Sequence, residues 1–389
     1  MELTQQQKKR AGELHYSNFV FDYYPQGIPL VIDEQVKDYV AENLARGVDG
    51  SAILASFHDL YLKEMESGSA RGTGIKKQLE KSLEKSGVNC IAITMGNPSR
   101  PLMDLNNITT AIAWWKRFFG TFDGMVECHT PEEVEKSYVN KKVSALFCLQ
   151  DGGCIGENIN LLEILYNEGV RFIQVSFNKA NAIGHGSTES KEKGLTEFGK
   201  KVVKKMNAFG MVVDVSHCNY QTTLDAIRSS EKPVMVTHSS CKSVFMHDRA
   251  KTDEEIKALA ENNGFFGVLL VPSFLSANPR PDFDIVIKHL RHAISIMGID
   301  RVGIGSDWGL WSPDVPKELT EAMIQSAIKN LGLSKKMNLV AGVAPGEMKD
   351  YSDMYMVTEA LVGAGFSDEQ IKQIIGENFM DFWKRAVDT

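Results

Sequence analysis

The chain carries eight short, almost wholly apolar runs, and this pattern limits the folds open to it more than any other feature. The runs lie at residues 19–24, 88–94, 144–150, 171–177, 211–217, 233–239, 265–271 and 301–307. They lack the polar alternation of a half-exposed strand, which is typical of parallel strands buried on both faces. Amphipathic, helix-like stretches separate most of them. Eight strands with helical crossovers predict an α/β fold, the (β/α)8 TIM barrel.

An open, doubly wound sheet is the competing architecture. Polar residues recur at the carboxyl ends of many of the runs, namely Asp22, Gln150, Asn178, His217, His238 and Asp307. In a barrel these ends meet at one mouth, whereas in an open sheet they would spread along an edge. The recurrence therefore favours the barrel.

Two regions do not fit a simple repeat of strand and helix. Residues 32–87 contain two helical patterns between the first two strands, and we expect a helical insertion there. Residues 350–389 show the pattern of a C-terminal helical pair. We predict one TIM-barrel domain over residues 1–389, with these two additions.

Composition and charge exclude several classes of function. The formal net charge of −7 argues against nucleic acid as a partner. No apolar run approaches the 18 residues that a membrane-spanning helix needs, and no apolar stretch of a secretory signal follows the first ten residues. The six cysteines are scattered without C-x-x-C spacing, which indicates reduced thiols. We expect a cytoplasmic protein that acts on a small molecule.

The strongest chemical signal is a trio at three strand ends, His217, His238 and Asp307. Neutral imidazoles offer nitrogen to zinc-like ions, and a carboxylate can bind the ion or carry a proton. The plain alternative is that each histidine only bonds a backbone carbonyl. Three such residues at three converging strand ends favour a metal site.

Arg249 lies eleven residues after His238, in a stretch that follows a predicted strand. A loop arginine above a barrel mouth can hold a substrate carboxylate through two parallel hydrogen bonds. Spacing alone equally allows the alternative, a surface salt bridge with Asp248 or a nearby glutamate.

The sequence resembles the membrane (renal) dipeptidases, zinc peptidases of the amidohydrolase superfamily. The likeness runs from about residue 11 to residue 385, and its best segments are LHYSNFVFD, NLLEILYNEGVRFIQVSFNKAN, GLTEFGKKVVKKMNAFGMVVDVSH, VTHSSCKSVFMHDR, VGIGSDW and DYSDMYMVTEALVGAGFSDEQIKQIIGENFMDFW. The resemblance implies a (β/α)8 barrel, hydrolysis of a dipeptide-like bond, and a homodimer.

Part of the family's site can be carried over to this chain. The two histidines of the family's second metal site match His217 and His238. The arginine that clamps the substrate matches Arg249, and the strand-eight aspartate matches Asp307.

Other positions depart from the family pattern. Tyr24 and Gln26 stand where a histidine and an aspartate bind the first metal, and Gln150 stands where a glutamate bridges the two metals. Asp151 would restore an acid only with a one-residue slip. Phe177 replaces a histidine that helps to stabilise the tetrahedral intermediate in the family.

These departures change the electrostatics of the site. Two divalent ions a few ångströms apart repel strongly, and a neutral Gln150 cannot offset that repulsion. The sequence therefore predicts at most one divalent ion, zinc or none, held by His217 and His238 with Asp307 or Gln150. We expect Asp307 to act as the catalytic proton carrier.

The substrate contacts expected beside Arg249 are Tyr24, Phe177 and Asn178. The predicted function is that of a dipeptidase-like amidohydrolase acting on a small substrate that carries a carboxylate. Two alternatives stay open, because a fold alone does not determine chemistry. One is a lyase, dehydratase or isomerase on the same barrel, and the other is a metal-free pseudoenzyme or binding protein.

Overall fold

Parallel strands form the centre of the computed structural model, which describes residues 3–23, 32–95, 104–307, 315–330 and 344–388. The strands are β1 (Phe21–Tyr23), β2 (Cys90–Thr94), β3 (Met125–Glu127), β4 (Val143–Leu149), β5 (Val170–Gln174), β6 (Val212–Asp214), β7 (Met235–Ser239), β8 (Phe265–Val268) and β9 (Val302–Ile304). Eight of them follow one another in the order β1-β2-β4-β5-β6-β7-β8-β9, each parallel to the next. The nearly closed parallel barrel confirms the predicted fold class.

Each of the eight predicted runs overlaps one strand of this path, and β4 and β5 begin one residue earlier than predicted, but the sequence did not predict β3. This strand pairs only with the first three residues of β4, with Met125 opposite Val143. It is three residues long and ends in the polar Glu127, so it lacks the apolar run by which the other strands were found.

Helices cover the outside of the barrel. They are α1 (Gln5–Ser17), α2 (Glu34–Ala45), α3 (Gly50–Ser67), α4 (Ala70–Ser86), α5 (Leu105–Thr121), α6 (Pro131–Val139), α7 (Leu161–Asn167), α8 (Glu197–Ala208), α9 (Tyr220–Ser229), α10 (Asp253–Glu261), α11 (Pro272–Leu275), α12 (Asp284–Met297), α13 (Lys317–Asn330), α14 (Tyr355–Gly363), α15 (Asp368–Lys372) and α16 (Asn378–Val387). The predicted insertion is helical, since α2, α3 and α4 lie between β1 and β2. The division into one domain stays a prediction.

The last helix closes the amino-terminal end of the barrel. Alternate residues of the strands fill the barrel interior, and aromatic side chains of α16 pack against them. The Phe379 ring stacks on Phe21 with centroids 3.5 Å apart, and Trp383 is wholly buried beside Phe172. Because this end is filled with aromatic side chains, the opposite end, where the strands terminate, is left for chemistry.

Two further sequence expectations can be compared with the described residues. All six cysteines are free thiols, as their spacing predicted. None of the helices in the described ranges is both long enough and apolar enough to cross a bilayer.

A buried carboxylate holds the seam between β1 and β9. Asp22 accepts hydrogen bonds from the Ser306 backbone N–H at 2.8 Å, the Ser306 hydroxyl at 2.7 Å and the Tyr351 hydroxyl at 3.0 Å. Beside it, the Asp307 N–H donates to the Tyr23 carbonyl at 3.2 Å. These bonds join the first strand to the segment that carries Asp307.

Asp22 should make stability depend on pH. Burial raises the pKa of Asp22 to about 6, although the bonds from Ser306 and Tyr351 oppose the shift. A raised pKa means that the contribution of Asp22 to stability is present below about pH 4 and is lost as pH rises through about 6. Relative to Asp22→Asn, wild type should therefore lose about 2 kcal/mol between pH 4 and pH 7. Thermal unfolding of both proteins with chelator present measures this, and a flat difference would contradict it.

Candidate active site

Two buried histidines meet at the carboxyl end of the barrel. His217 follows β6 and His238 lies in β7, and their Nε2 atoms are 2.9 Å apart. His238 is fully buried and His217 is 4% exposed. The two residues that the sequence placed at neighbouring strand ends are thus in contact.

The other ring nitrogens of both histidines are already engaged. His217 Nδ1 lies 3.0 Å from the Asn178 side-chain oxygen, and His238 Nδ1 lies 2.7 Å from the Thr237 hydroxyl. An amide oxygen only accepts, so His217 carries its proton on Nδ1. If His238 does the same, two Nε2 lone pairs face each other, an arrangement that a shared cation relieves. Nitrogens on one tetrahedral zinc ion lie about 3.3 Å apart, so the pair fits such an ion with little movement.

Asp307 completes a group of three side chains that could hold a metal ion. Its Oδ1 atom lies 3.9 Å from His238 Nε2, and one ligand atom from each of the three residues lies within 4.8 Å of the others. Within the described ranges this is the one cluster of three or more His, Cys, Asp or Glu side chains close enough to share an ion.

Backbone geometry brings Asp307 to this place. Its φ of +49° lies in the left-handed region that few non-glycine residues adopt. Just before it, a Cβ on Gly305 would stand 1.9 Å from the Thr237 carbonyl oxygen, and one on Gly267 would stand 2.0 Å from the same atom. Glycine at these two positions lets β8 and β9 close in on β7, which carries His238.

The electrostatics keep the histidines in their ligand form. Burial holds the pKa of both His217 and His238 well below the usual value, and the nearby Arg249 charge lowers it further. A neutral imidazole is the form that binds a metal ion.

Arg249 is buried beside the histidines and does not lie on the surface. It donates from Nη1 to the Ser216 carbonyl and from Nη2 to the His238 carbonyl at 3.1 Å, and its side chain is 1% exposed. Burial lowers its pKa to about 10, while the charges of Asp307 and Asp214 oppose the shift. Its Nε–H has no hydrogen-bond partner among the described residues. A buried cation with an unused donor is suited to an incoming anion.

Phe177 and Asn178 lie against His217. The Phe177 ring stacks on the imidazole with centroids 4.0 Å apart and planes 21° apart. The Asn178 oxygen also accepts from the Ser187 hydroxyl at 3.1 Å, so this residue holds His217 to the loop after β5. Their predicted contacts with substrate remain predictions.

The remaining predicted positions contribute differently. Gln150 is buried at the end of β4, where its backbone carbonyl accepts a hydrogen bond from the Gln174 side-chain amide. The Asp151 carboxylate caps the following turn through Gly153 N–H at 2.9 Å and bonds Asn181 at 2.6 Å. It does not belong to the histidine cluster, so the one-residue slip gains no support. Tyr24 and Gln26 lie outside the described residues.

The sequence reasoning missed the residues beneath the histidines. Asp214, Ser216 and Thr237 are fully buried and bond to one another and to His238. Asp214 interrupts an otherwise apolar strand, and a buried acid in such a run was the signal that could have pointed to it.

A comparison with known protein families shows to which family this chain belongs. The family model for the membrane dipeptidases, peptidase family M19, matches residues 75–331, about two thirds of the chain. The chain belongs to the membrane dipeptidase family. Gln150, His217, His238, Arg249 and Asp307 lie within the matched region, and this membership makes the protein a dipeptidase-like amidohydrolase.

Of two relatives similar to this chain, one is named as a dipeptidase. An uncharacterised protein from the pqqA 5′ region of Klebsiella pneumoniae is 32% identical over 199 residues, covering 48% of this chain and 73% of its own length. An uncharacterised dipeptidase of Schizosaccharomyces pombe is 26% identical over 261 residues, covering 66% of this chain and 56% of its own length. The chain thus spans little more than half of the second relative.

Solved structures agree on the fold. A Pseudomonas aeruginosa amidohydrolase superposes with a TM-score of 0.74 at 20% identity, over 97% of this chain and 99% of that one. A family M19 dipeptidase superposes with a TM-score of 0.69 at 19% identity, over 96% and 99%. At identities this low, the likeness supports the barrel fold but does not show which reaction the site catalyses.

Proposed function

We propose that this membrane dipeptidase relative hydrolyses an amide or dipeptide-like bond in a small substrate that carries a carboxylate, using at most one divalent metal ion. One observation carries the proposal. The buried Nε2 atoms of His217 and His238 face each other beside the Asp307 carboxylate, and the Arg249 guanidinium is bonded to the backbone of the same two strand ends.

His217, His238 and Asp307 would hold the ion, since two imidazoles and a carboxylate suit zinc. When bound, a divalent ion supplies Lewis acidity to a hydrolytic reaction. A second ion is disfavoured because Gln150 is neutral and because Asp151 is engaged elsewhere.

The protein's own groups then have distinct tasks. Arg249 binds the substrate carboxylate and so fixes the scissile bond relative to the strand ends. Asp307 accepts the proton of the attacking water on a carboxylate oxygen and returns it to the leaving nitrogen. Phe177, stacked on His217, adds an apolar wall where the family pattern has a histidine.

A substrate panel tests this function. The Rhodobacter sphaeroides metallopeptidase, similar in fold with a TM-score of 0.64 at 20% identity over 79% of this chain and 89% of that one, was solved with a phosphinate mimic of L-Ala-D-Ala. The panel should therefore contain L,L- and L,D-dipeptides and N-acyl amino acids, each as the free acid and as the C-terminal amide. We expect zinc-loaded protein to hydrolyse free acids and to discriminate strongly against the amides.

Equal hydrolysis of acids and amides would contradict the carboxylate requirement. A zinc-loaded protein that hydrolyses nothing in the panel would contradict the proposal and favour the non-hydrolytic or pseudoenzyme alternative. A cytoplasmic location and a homodimer remain predictions from the sequence.

A further inference from the structure

A wholly buried carboxylate, that of Asp214, lies beneath the two histidines and takes no part in the proposed reaction. Asp214 ends β6 and accepts from the Ser216 N–H at 2.8 Å and the Thr237 N–H at 3.3 Å, both on Oδ1. The Ser216 hydroxyl lies 2.5 Å from Oδ1, and the Thr237 hydroxyl donates to Oδ2 at 2.7 Å. The carboxylate is thus joined to β7 directly before His238.

The Thr237 hydroxyl is the link between Asp214 and His238. It has one proton, and it donates that proton to Asp214 Oδ2. Its oxygen therefore turns a lone pair toward His238 Nδ1, which lies 2.7 Å away. Only a protonated Nδ1 makes a hydrogen bond with that lone pair. The neutral ring then has its proton on Nδ1 and a lone pair on Nε2, the atom that faces His217 Nε2 at 2.9 Å.

We propose that Asp214 and Thr237 are positioning residues that fix His238 as the Nδ1–H tautomer and so prepare its Nε2 to bind the metal. This inference rests on the proposed function, because it concerns the same metal site. Asn178 orients His217 in a similar way, but its neutral side-chain oxygen accepts directly from His217 Nδ1, without a hydroxyl between them. On His238 the orientation comes from a buried acid through a hydroxyl, so removing either group should weaken metal binding. Groups behind a metal ligand typically contribute 10- to 100-fold in affinity.

Thr237 allows a clean test because valine has nearly its shape and serine keeps its hydroxyl. We expect Thr237→Val to bind zinc about 10- to 100-fold more weakly than wild type, measured by competition with a chromophoric chelator. Thr237→Ser should bind close to the wild-type level. A merely structural role for the methyl group would give the opposite order.

A remote threonine provides the matched control. Thr358 is fully buried in α14, and its hydroxyl lies 2.8 Å from His15 Nδ1, so it makes the same kind of contact with a buried histidine. Thr358→Val should lower the melting temperature and leave zinc affinity unchanged. Comparable loss of zinc affinity in both valine variants would assign the effect to general destabilisation and overturn the proposal.

Asp214→Asn tests the direction of the hydrogen bonds. Two backbone N–H groups point at Oδ1, so the amide oxygen must occupy that position and the NH2 must face Thr237. The hydroxyl would then accept from the amide and donate to His238 Nδ1. The proton on His238 would move to Nε2, and the metal-binding lone pair would be lost.

Nitrogen NMR of metal-free protein with 15N-labelled histidine reads this tautomer, with His238→Ala used to assign the signal. We expect Nδ1–H in wild type and Nε2–H in Asp214→Asn, together with weaker zinc binding in the variant. The same tautomer in both proteins would overturn the proposal. If wild type itself binds no zinc, the proposed function fails instead, so the two failures are distinguishable.

Discussion

His238→Ala should remove both the metal ion and the activity. With neutral residues at the positions of the family's other ligands, His217, His238 and Asp307 are the three side chains among the described residues that lie close enough together to hold a metal ion. Loss of one ligand should cost more than the roughly 100-fold that loss of an outer partner can cost. A metal ion supplies several kcal/mol of transition-state stabilisation, so kcat/KM should fall by about 10³-fold or more.

A buried histidine elsewhere controls for the loss of an imidazole. His289 is fully buried, with Nδ1 bonded to the Cys241 N–H and Nε2 to the Leu275 carbonyl, each at 3.0 Å. His289→Ala should lower stability but keep metal content at the wild-type level. Metal content retained in folded His238→Ala would show that the ion is bound elsewhere.

Arg249→Lys should weaken substrate binding markedly while folding and metal content persist. A planar guanidinium holds a carboxylate through two parallel charge-assisted bonds, and an ammonium group cannot reproduce that geometry. Truncation of one partner in a buried charged pair costs about 2–5 kcal/mol, so Arg249→Ala should lose from about 30-fold to more than 10³-fold in kcat/KM. A surface ion pair would contribute roughly 0–1 kcal/mol, but the burial of Arg249 argues against that alternative.

Arg171 offers the matched control for Arg249. It also donates to backbone carbonyls, those of His129, Tyr166 and Val170, but it lies at the start of β5, away from the histidines. Arg171→Lys should leave kcat/KM unchanged. Activity on free-acid substrates that is unaltered in both Arg249 variants would remove the main reason to expect a carboxylate substrate.

The barrel could be predicted from the sequence because strands buried on both faces leave uninterrupted apolar runs. The contact between His217 and His238 followed from the same logic, since parallel strands end on one side. Other features depend on contacts that no local pattern encodes. The short β3 has no apolar run of its own. The sequence of α16 has the pattern of an ordinary amphipathic helix and does not show that its aromatic face packs into the barrel interior.

The contacts within the supporting layer of the site could not be predicted, for a related reason. Asp214 and Thr237 are 23 positions apart in sequence, and their link to His238 exists only once β6 and β7 lie side by side. The burial of Arg249 likewise depends on the carbonyls of two different strand ends. Sequence spacing identified Arg249 as a candidate, but it could not show that the guanidinium lies inside the protein.

Metal stoichiometry tests the central claim most directly. Protein purified without chelator, incubated with an excess of zinc, dialysed against zinc-free buffer and examined by elemental analysis should hold one ion per chain. The His217→Ala, His238→Ala double variant should hold none. Two tightly bound ions per wild-type chain, or one ion retained by the double variant, would contradict a single-metal site built on these two histidines.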